Sequence, residues 1–76
     1  MEKLERIEKE PLLYTVPEVA LLLKVDEPKV RELIRRKLLI GLKLGRLKVT
    51  RKELLKFLDN YAGKDLSDLS NIKELS

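Results

Sequence analysis

The sequence contains no cysteine and no histidine, and its aromatic side chains are two tyrosines and one phenylalanine. Without cysteine there are no disulfides or thiolate nucleophiles, and without histidine there are no imidazole bases or imidazole metal ligands. Apolar runs stay well short of the roughly 20 residues that span a bilayer. The first residues, MEKLERIEKEPLL, carry acids where a secretion signal has a basic and then an apolar segment. We therefore expect a soluble, cytoplasmic protein with no metal and no membrane contact.

The chain is also short. Its 76 residues make at most one domain, and a domain of this size buries only about 60% of its unfolded surface, which argues against a deep substrate cavity. Acid-base chemistry would depend on exposed Asp and Glu side chains that no pocket encloses. We therefore expect a protein that is not an enzyme and that uses no cofactor and no small-molecule substrate.

Positive charge is concentrated in the middle of the chain. Residues 26–52 hold ten bases and three acids, a net charge of +7, whereas residues 1–25 and 53–76 have net charges of −1 and −2. This distribution is expected if one face meets nucleic acid or another anionic surface. A solvated basic stretch has the same composition, so charge alone leaves both interpretations open.

Two helix starts lie close together before the basic region. Thr15-Val16-Pro17-Glu18 has the pattern of a capping box, preceded by Leu13 and Tyr14 as apolar staple residues, and the helix it starts should end near Lys24. Asp26 can cap a second helix that continues at helical spacing through Val30, Leu33 and Ile34. A link of two or three residues forces two helices to cross steeply, which predicts a helix-turn-helix.

The period of the apolar residues then changes from helical to alternating. Alternation on both sides of Gly45 predicts a β-hairpin in which Leu42, Leu47 and Val49 face the core. A second capping box at Thr50 starts a third helix that carries Leu54, Leu55, Phe57, Leu58 and Tyr61. We predict a mainly α protein with a small β-hairpin, a single compact domain over residues 12–63. A charged arm over residues 1–11 precedes it, and the tail over residues 64–76 is either a loose helix or disordered.

The order helix, turn, helix, hairpin, helix is that of a winged helix-turn-helix. Residues 14–58, YTVPEVALLLKVDEPKVRELIRRKLLIGLKLGRLKVTRKELLKFL, resemble the excisionase-type DNA-binding domain, a compact relative of the MerR-type winged helix. The resemblance rests on the TVPEVALLL first helix, the VRELI second helix, the basic glycine-containing wing and the LLKF closing helix. One departure is Lys37, where family members often carry glycine; either the exit from the second helix has another shape here or Lys37 is strained.

DNA binding in such a fold assigns roles to the basic residues of the second helix and the wing. A helix fits the major groove, where arginine pairs with guanine and glutamate accepts from cytosine. Burial of Val30, Leu33 and Ile34 leaves the charged positions free for Arg35 and Glu32 to reach base edges, and for Lys29 and Arg31 to reach bases or phosphates. The predicted DNA-binding residues are Thr15, Lys29, Arg31, Glu32, Arg35, Arg36, Lys43, Arg46 and Lys48.

Several of these residues have an alternative interpretation that does not involve DNA. In the alternative interpretation, Glu32 pairs with Arg35 or Arg36 on a solvated helix, an ion pair worth about 0.2 to 0.5 kcal/mol. Thr15 can act as a helix cap alone, without a phosphate on the nearby amides. The hairpin can also be a solvated turn that carries Lys43, Arg46 and Lys48 at its tip. However, three neighbouring cations without acids favour a surface that binds a polyanion. For Leu44 the sequence leaves three options open: a position under the hairpin, a contact with DNA and a contact with a second copy.

Two functions from different classes follow. The resemblance implies a nucleoid-associated protein that binds double-stranded DNA, either an excisionase-like recombination directionality factor or a small transcriptional regulator, acting with further copies of itself or an integrase. The alternative is an adaptor that docks an acidic protein partner with the same basic face, because fold does not dictate function.

Overall fold

The computed structural model describes residues 11–75, so that the predicted N-terminal arm lies outside the described residues except for Pro11. Two of the helices follow each other directly, and the third closes the domain after a hairpin. The elements are β1 (Leu13–Thr15), α1 (Val16–Leu23), α2 (Glu27–Arg35), β2 (Leu42–Leu44), β3 (Arg46–Thr50), α3 (Arg51–Tyr61), β4 (Lys64–Asp65) and β5 (Lys73–Glu74). None of the helices over residues 11–75 has both the length and the apolarity to cross a membrane.

Both predicted starts of the helix-turn-helix are confirmed. The Thr15 hydroxyl accepts from the Glu18 amide at 3.3 Å while the Thr15 amide donates to the Glu18 carboxylate at 2.8 Å, a reciprocal capping box. The Asp26 carboxylate accepts from the Lys29 amide at 3.0 Å and caps α2. Between the two helices, Lys24 takes a left-handed conformation with φ 60° and donates its amide to the end of α1. The short link therefore turns within three residues.

The backbone conformation of Lys37 determines how the chain leaves α2. Lys37 has φ 62°, the left-handed conformation that glycine adopts at no steric cost. Its amide donates to the Ile34 carbonyl, and the amides of Leu38 and Leu39 both donate to the Leu33 carbonyl. The exit thus keeps a shape that suits glycine, and Lys37 occupies it at a cost on the order of 1 kcal/mol.

The predicted hairpin is confirmed as β2 and β3, and β1 joins it to make a three-stranded antiparallel sheet. The strand order is β1-β3-β2, with Tyr14 opposite Val49 and Thr15 opposite Lys48. Sequence analysis missed β1 because three residues are too few to show alternation and because its partner lies far along the chain. As a result, Thr15 both ends a strand of this sheet and caps α1, which ties the helix-turn-helix to the hairpin.

The register of β2 and β3 corrects the predicted orientation of two residues. Leu42 lies opposite Lys48, and Lys43 lies opposite Leu47. Side chains of directly opposed residues share a face of the sheet, so that Lys43 lies on the same face as Leu47 and Val49, while Leu42 is exposed on the outer face. The prediction that Leu42 faces the core is wrong because both strands alternate on either side of Gly45, and the alternation alone leaves the register between them undetermined.

The core lies where α1, α2, α3 and the inner face of β3 meet. Val19, Val30, Leu39 and Val49 are fully buried, and Leu39 lies in the loop after α2, where no periodicity identifies it. On α3, Leu54 and Phe57 are buried but Leu55 and Leu58 are exposed, so the predicted apolar face is narrower than the sequence indicates. The buried cluster is Val16, Val19, Ala20, Val30, Leu33, Leu39, Val49, Leu54, Phe57 and Leu69.

Gly41 sits where the chain leaves the helical region and enters the hairpin. A Cβ atom at this position would lie 2.8 Å from Ile34 Cγ2 and 3.2 Å from Leu47 Cδ1. The backbone therefore passes so close to α2 that there is no room for a side chain. This contact fixes the base of the hairpin against the helix-turn-helix.

The tail does not form the loose helix predicted as one of its two states. Residues 64–75 make a two-stranded ribbon in which Lys64 lies opposite Glu74 and Asp65 opposite Lys73. Two turns shape the loop: Asp65 accepts from the amide and hydroxyl of Ser67, and Asp68 does the same with Ser70. Such Asp-to-Ser bonds compete with helical hydrogen bonds, which explains the difference from the prediction.

Candidate nucleic-acid interface

Helix α2 presents charged residues on two flanks because its central face is used for packing. Val30 and Leu33 are buried against the core, and Ile34 is half-buried beside them. On one flank Glu27 and Arg31 point toward the hairpin, and on the other Lys29 and Arg36 point toward the C-terminal ribbon. The two flanks have different neighbours and are described in turn.

An open groove of about 710 Å³ separates the first flank from the hairpin. It brings together residues from three parts of the chain: the start of α1, the N-terminal half of α2 and the tip of the hairpin. The lining residues are Thr15, Val16, Pro17, Glu27, Arg31, Lys43, Gly45, Arg46 and Leu47. Four of the nine predicted DNA-binding residues, Thr15, Arg31, Lys43 and Arg46, therefore share one concave surface.

Lys43 reaches the groove because of the hairpin register. Its face of the sheet is the face of Leu47, and near the tip this face extends beyond the core and forms one wall of the groove. Lys48 lies on the opposite face, where its ammonium donates to the Leu44 carbonyl at 3.2 Å. The three cations predicted to act together on the wing are thus divided between the two faces of the sheet.

Arg31 is paired across one helical turn with an acid that the sequence analysis did not select. A guanidinium nitrogen of Arg31 lies 3.5 Å from Glu27 Oε1, and the two side chains are 55% and 45% exposed. The spacing i, i+4 on α2 was the signal that could have identified Glu27. Glu27 is therefore an acid that lines the same groove as Arg31, Lys43 and Arg46.

Glu32 holds two arginines in the free protein. Its Oε2 lies 3.2 Å from Arg36 Nε and 3.9 Å from Arg35, whose side chain is 73% exposed. This is the pairing expected for a solvated helix, and contact of Glu32 with a base stays a prediction. Arg35 has the longer ion pair and the greater exposure, so it is the more available of the two arginines.

Lys29 and Arg36 face the C-terminal ribbon. The hydroxyl and amide of Ser70 hold the pKa of Asp68 below its ordinary value, and the positive charges of Arg36 and Lys29 lower that pKa further. Leu69, next to Asp68, is buried in the core cluster. The ribbon is therefore anchored on this side of α2, although among the described residues Asp68 forms no ion pair within 4.0 Å with either cation.

The groove thus offers guanidinium and ammonium donors without a buried carboxylate that could act as a base. Over residues 11–75 no buried side chain is polar or charged, and no cluster of three or more acids, histidines or cysteines could hold a metal ion. Hydrogen-bond donors on a concave, solvent-filled surface suit a ligand that carries many acceptors, such as a phosphate backbone with exposed base edges.

Comparison with known families agrees with this geometry. A family model described as "Helix-turn-helix domain" matches residues 13–62, which include β1, the three helices and the hairpin. No curated protein and no solved structure was found to match the chain.

Proposed function

This chain belongs to the helix-turn-helix domain family, and we propose that it binds double-stranded DNA through the groove between α2 and the β2–β3 hairpin. Membership of the family indicates a DNA-binding protein. The assignment of particular residues, the part played by the hairpin and the biological role are our proposals.

The observation that carries the proposal is the convergence of four predicted residues on one groove. Thr15, Arg31 and the hairpin pair of Lys43 and Arg46 come from three separate parts of the sequence, yet all four line the same surface. A solvated basic stretch has no reason to gather cations that repel each other around one concavity, whereas a polyanion in the groove offsets that repulsion. The duplex supplies such a polyanion, with one negative charge per about 1.7 Å of its axis.

In the proposed complex α2 enters the major groove. Arg31 and Arg35 point to base edges, where arginine makes paired bonds to guanine. Lys43 and Arg46 at the hairpin contact phosphates or the neighbouring groove, as a wing does, and Thr15 presents the start of α1 to a phosphate. Lys29 and Arg36 contribute less because the ribbon's Asp68 already faces them.

We further propose that the protein is an excisionase-like recombination directionality factor or a small transcriptional regulator, and not an enzyme. One recognition helix covers a half-site too short for high specificity. Function then requires several copies side by side on DNA, or a partner such as an integrase bound next to it.

Titration of a fluorescent duplex at several salt concentrations tests the proposal. If about five to seven phosphates are neutralised, log affinity falls with log salt at a slope of roughly −4.5 to −6, because each contact releases condensed counterions. Fluorescence anisotropy measures the affinity at each salt concentration, with free fluorophore as the control. A duplex that binds with no salt dependence, or does not bind, contradicts the proposal.

A further inference from the structure

An acid in the groove requires an explanation if the groove receives DNA. Glu27 lines the same surface as Arg31, Lys43 and Arg46, and its carboxylate is nearly half exposed. A carboxylate next to a phosphate is repelled by it, and the repulsion increases when the interface excludes water. A groove used only for phosphate contacts would therefore bind DNA better without Glu27.

Capping of α2 explains only in part why an acid occupies position 27. A negative charge in the first turn favours a helix through the helix dipole. Asp26, however, already supplies that charge and also caps the helix through its bond to the Lys29 amide. Glu27 adds a second acid whose nearest cation is Arg31, on the side of α2 that faces the groove.

We propose that Glu27 is a specificity-determining residue that accepts a hydrogen bond from the amino group of a cytosine in the major groove and positions Arg31 beside it. The inference rests on the proposed function. It goes beyond that function because it names a residue outside the predicted site and a particular base. This end of the groove would then contact bases and not phosphates.

The geometry of the pair suits this role. Glu27 begins α2, and in helix-turn-helix proteins the N-terminal residues of the second helix contact base edges. Oε1 is the carboxylate oxygen nearest to Arg31, at 3.5 Å, which leaves Oε2 to accept from a base. Cytosine presents an amino donor in the major groove, and the guanine opposite or next to it presents the two acceptors that suit arginine.

Selection from a pool of duplexes with a randomised central segment tests the inference. The unaltered protein, Glu27→Gln, Glu27→Ala and Asp59→Asn each select from the same pool, and the bound fraction is sequenced. Asp59→Asn is the matched control because it removes one negative charge from an exposed position on α3, which does not line the groove. Thermal melting of each variant checks that it is folded.

We expect the unaltered protein and Asp59→Asn to select cytosine at one position of a common motif. Glu27→Gln should shift that position toward adenine, which pairs with an amide side chain, and Glu27→Ala should lose the preference by roughly fivefold to a hundredfold. The other positions should be retained, and affinity for unselected duplex should rise in both Glu27 variants more than in Asp59→Asn.

Two results overturn the inference and differ in what else they affect. If both Glu27 variants select the same bases as the unaltered protein at every position, Glu27 has no reading role, although DNA binding stands. If the unaltered protein enriches no sequence and binds duplex without salt dependence, the proposed function fails together with the inference.

Discussion

Both flanks of α2 carry predicted DNA-binding cations, but the flanks face different surroundings. Arg31 faces an open groove whose other wall is the hairpin, whereas Lys29 and Arg36 face a ribbon that places Asp68 near them. The sequence predicts all three cations as DNA-binding residues, but it does not show what packs beside each flank. The difference shows that the availability of a basic residue depends on the element packed beside it, here a tail of 12 described residues, 64–75.

The strongest test of this comparison removes the anchor of the ribbon. Leu69 is 8% exposed and belongs to the core cluster. Leu69→Ala should lower the free energy of unfolding by about 2 to 3 kcal/mol, near the low end for a buried leucine because a terminal segment can relax. It should also raise duplex affinity, since Lys29 and Arg36 lose their acidic neighbour. Denaturant unfolding and anisotropy titration measure the two effects.

Leu75→Ala is the matched control, because Leu75 lies in the same tail but is 66% exposed. Its unfolding midpoint and its duplex affinity should stay close to those of the unaltered protein. If Leu69→Ala lowers stability but leaves duplex affinity unchanged, the ribbon does not restrict the second flank.

The next test compares one arginine from each flank. Arg31→Ala should weaken duplex binding by about 2 kcal/mol, or roughly thirtyfold, as expected for loss of a residue that contacts a base. Arg36→Ala should weaken binding only a few-fold, because Arg36 does not line the groove and lies on the flank near Asp68. Anisotropy titration of both variants at one salt concentration measures the difference. Equal losses would show that both flanks meet DNA alike.

The smallest expected effect is the pH dependence of the ribbon. The Ser67 hydroxyl and amide lower the pKa of Asp65, and Ser70 and then Arg36 and Lys29 lower that of Asp68. A carboxylate with a lowered pKa stabilises the folded state at neutral pH, and this contribution is lost as pH falls through the folded-state pKa. Residues 64–75 should therefore loosen on acidification while the hairpin stays closed.

Amide chemical shifts recorded from neutral pH to pH about 2 follow the two regions separately, because carboxylates with a lowered pKa become protonated only below the ordinary carboxylate range. Asp68→Asn removes the titrating group and should reduce the change around Ser70 without altering the response of Asp65. If the ribbon shifts stay constant over this range, the Asp-to-Ser turns do not contribute to its stability.

Local signals in the sequence were sufficient for the helices but not for their surroundings. The caps at Thr15 and Asp26 were predicted correctly because capping depends on residues three apart. Three features were not predicted: strand β1, the exposed position of Leu42 and the ribbon. All three depend on pairing between distant segments or on register, which a single sequence does not specify. The groove combines both: four of its lining residues were predicted, but the separation of Lys48 from Lys43 and the presence of Glu27 were not.

The close passage of Gly41 under Ile34 and Leu47 has a consequence for how the protein meets a duplex. Because Gly41 has no side chain, the base of the hairpin packs in van der Waals contact with Ile34 of α2. In the DNA complex that we propose, this contact would set the spacing between α2 and the hairpin, so that duplexes should differ in affinity according to the width of their grooves.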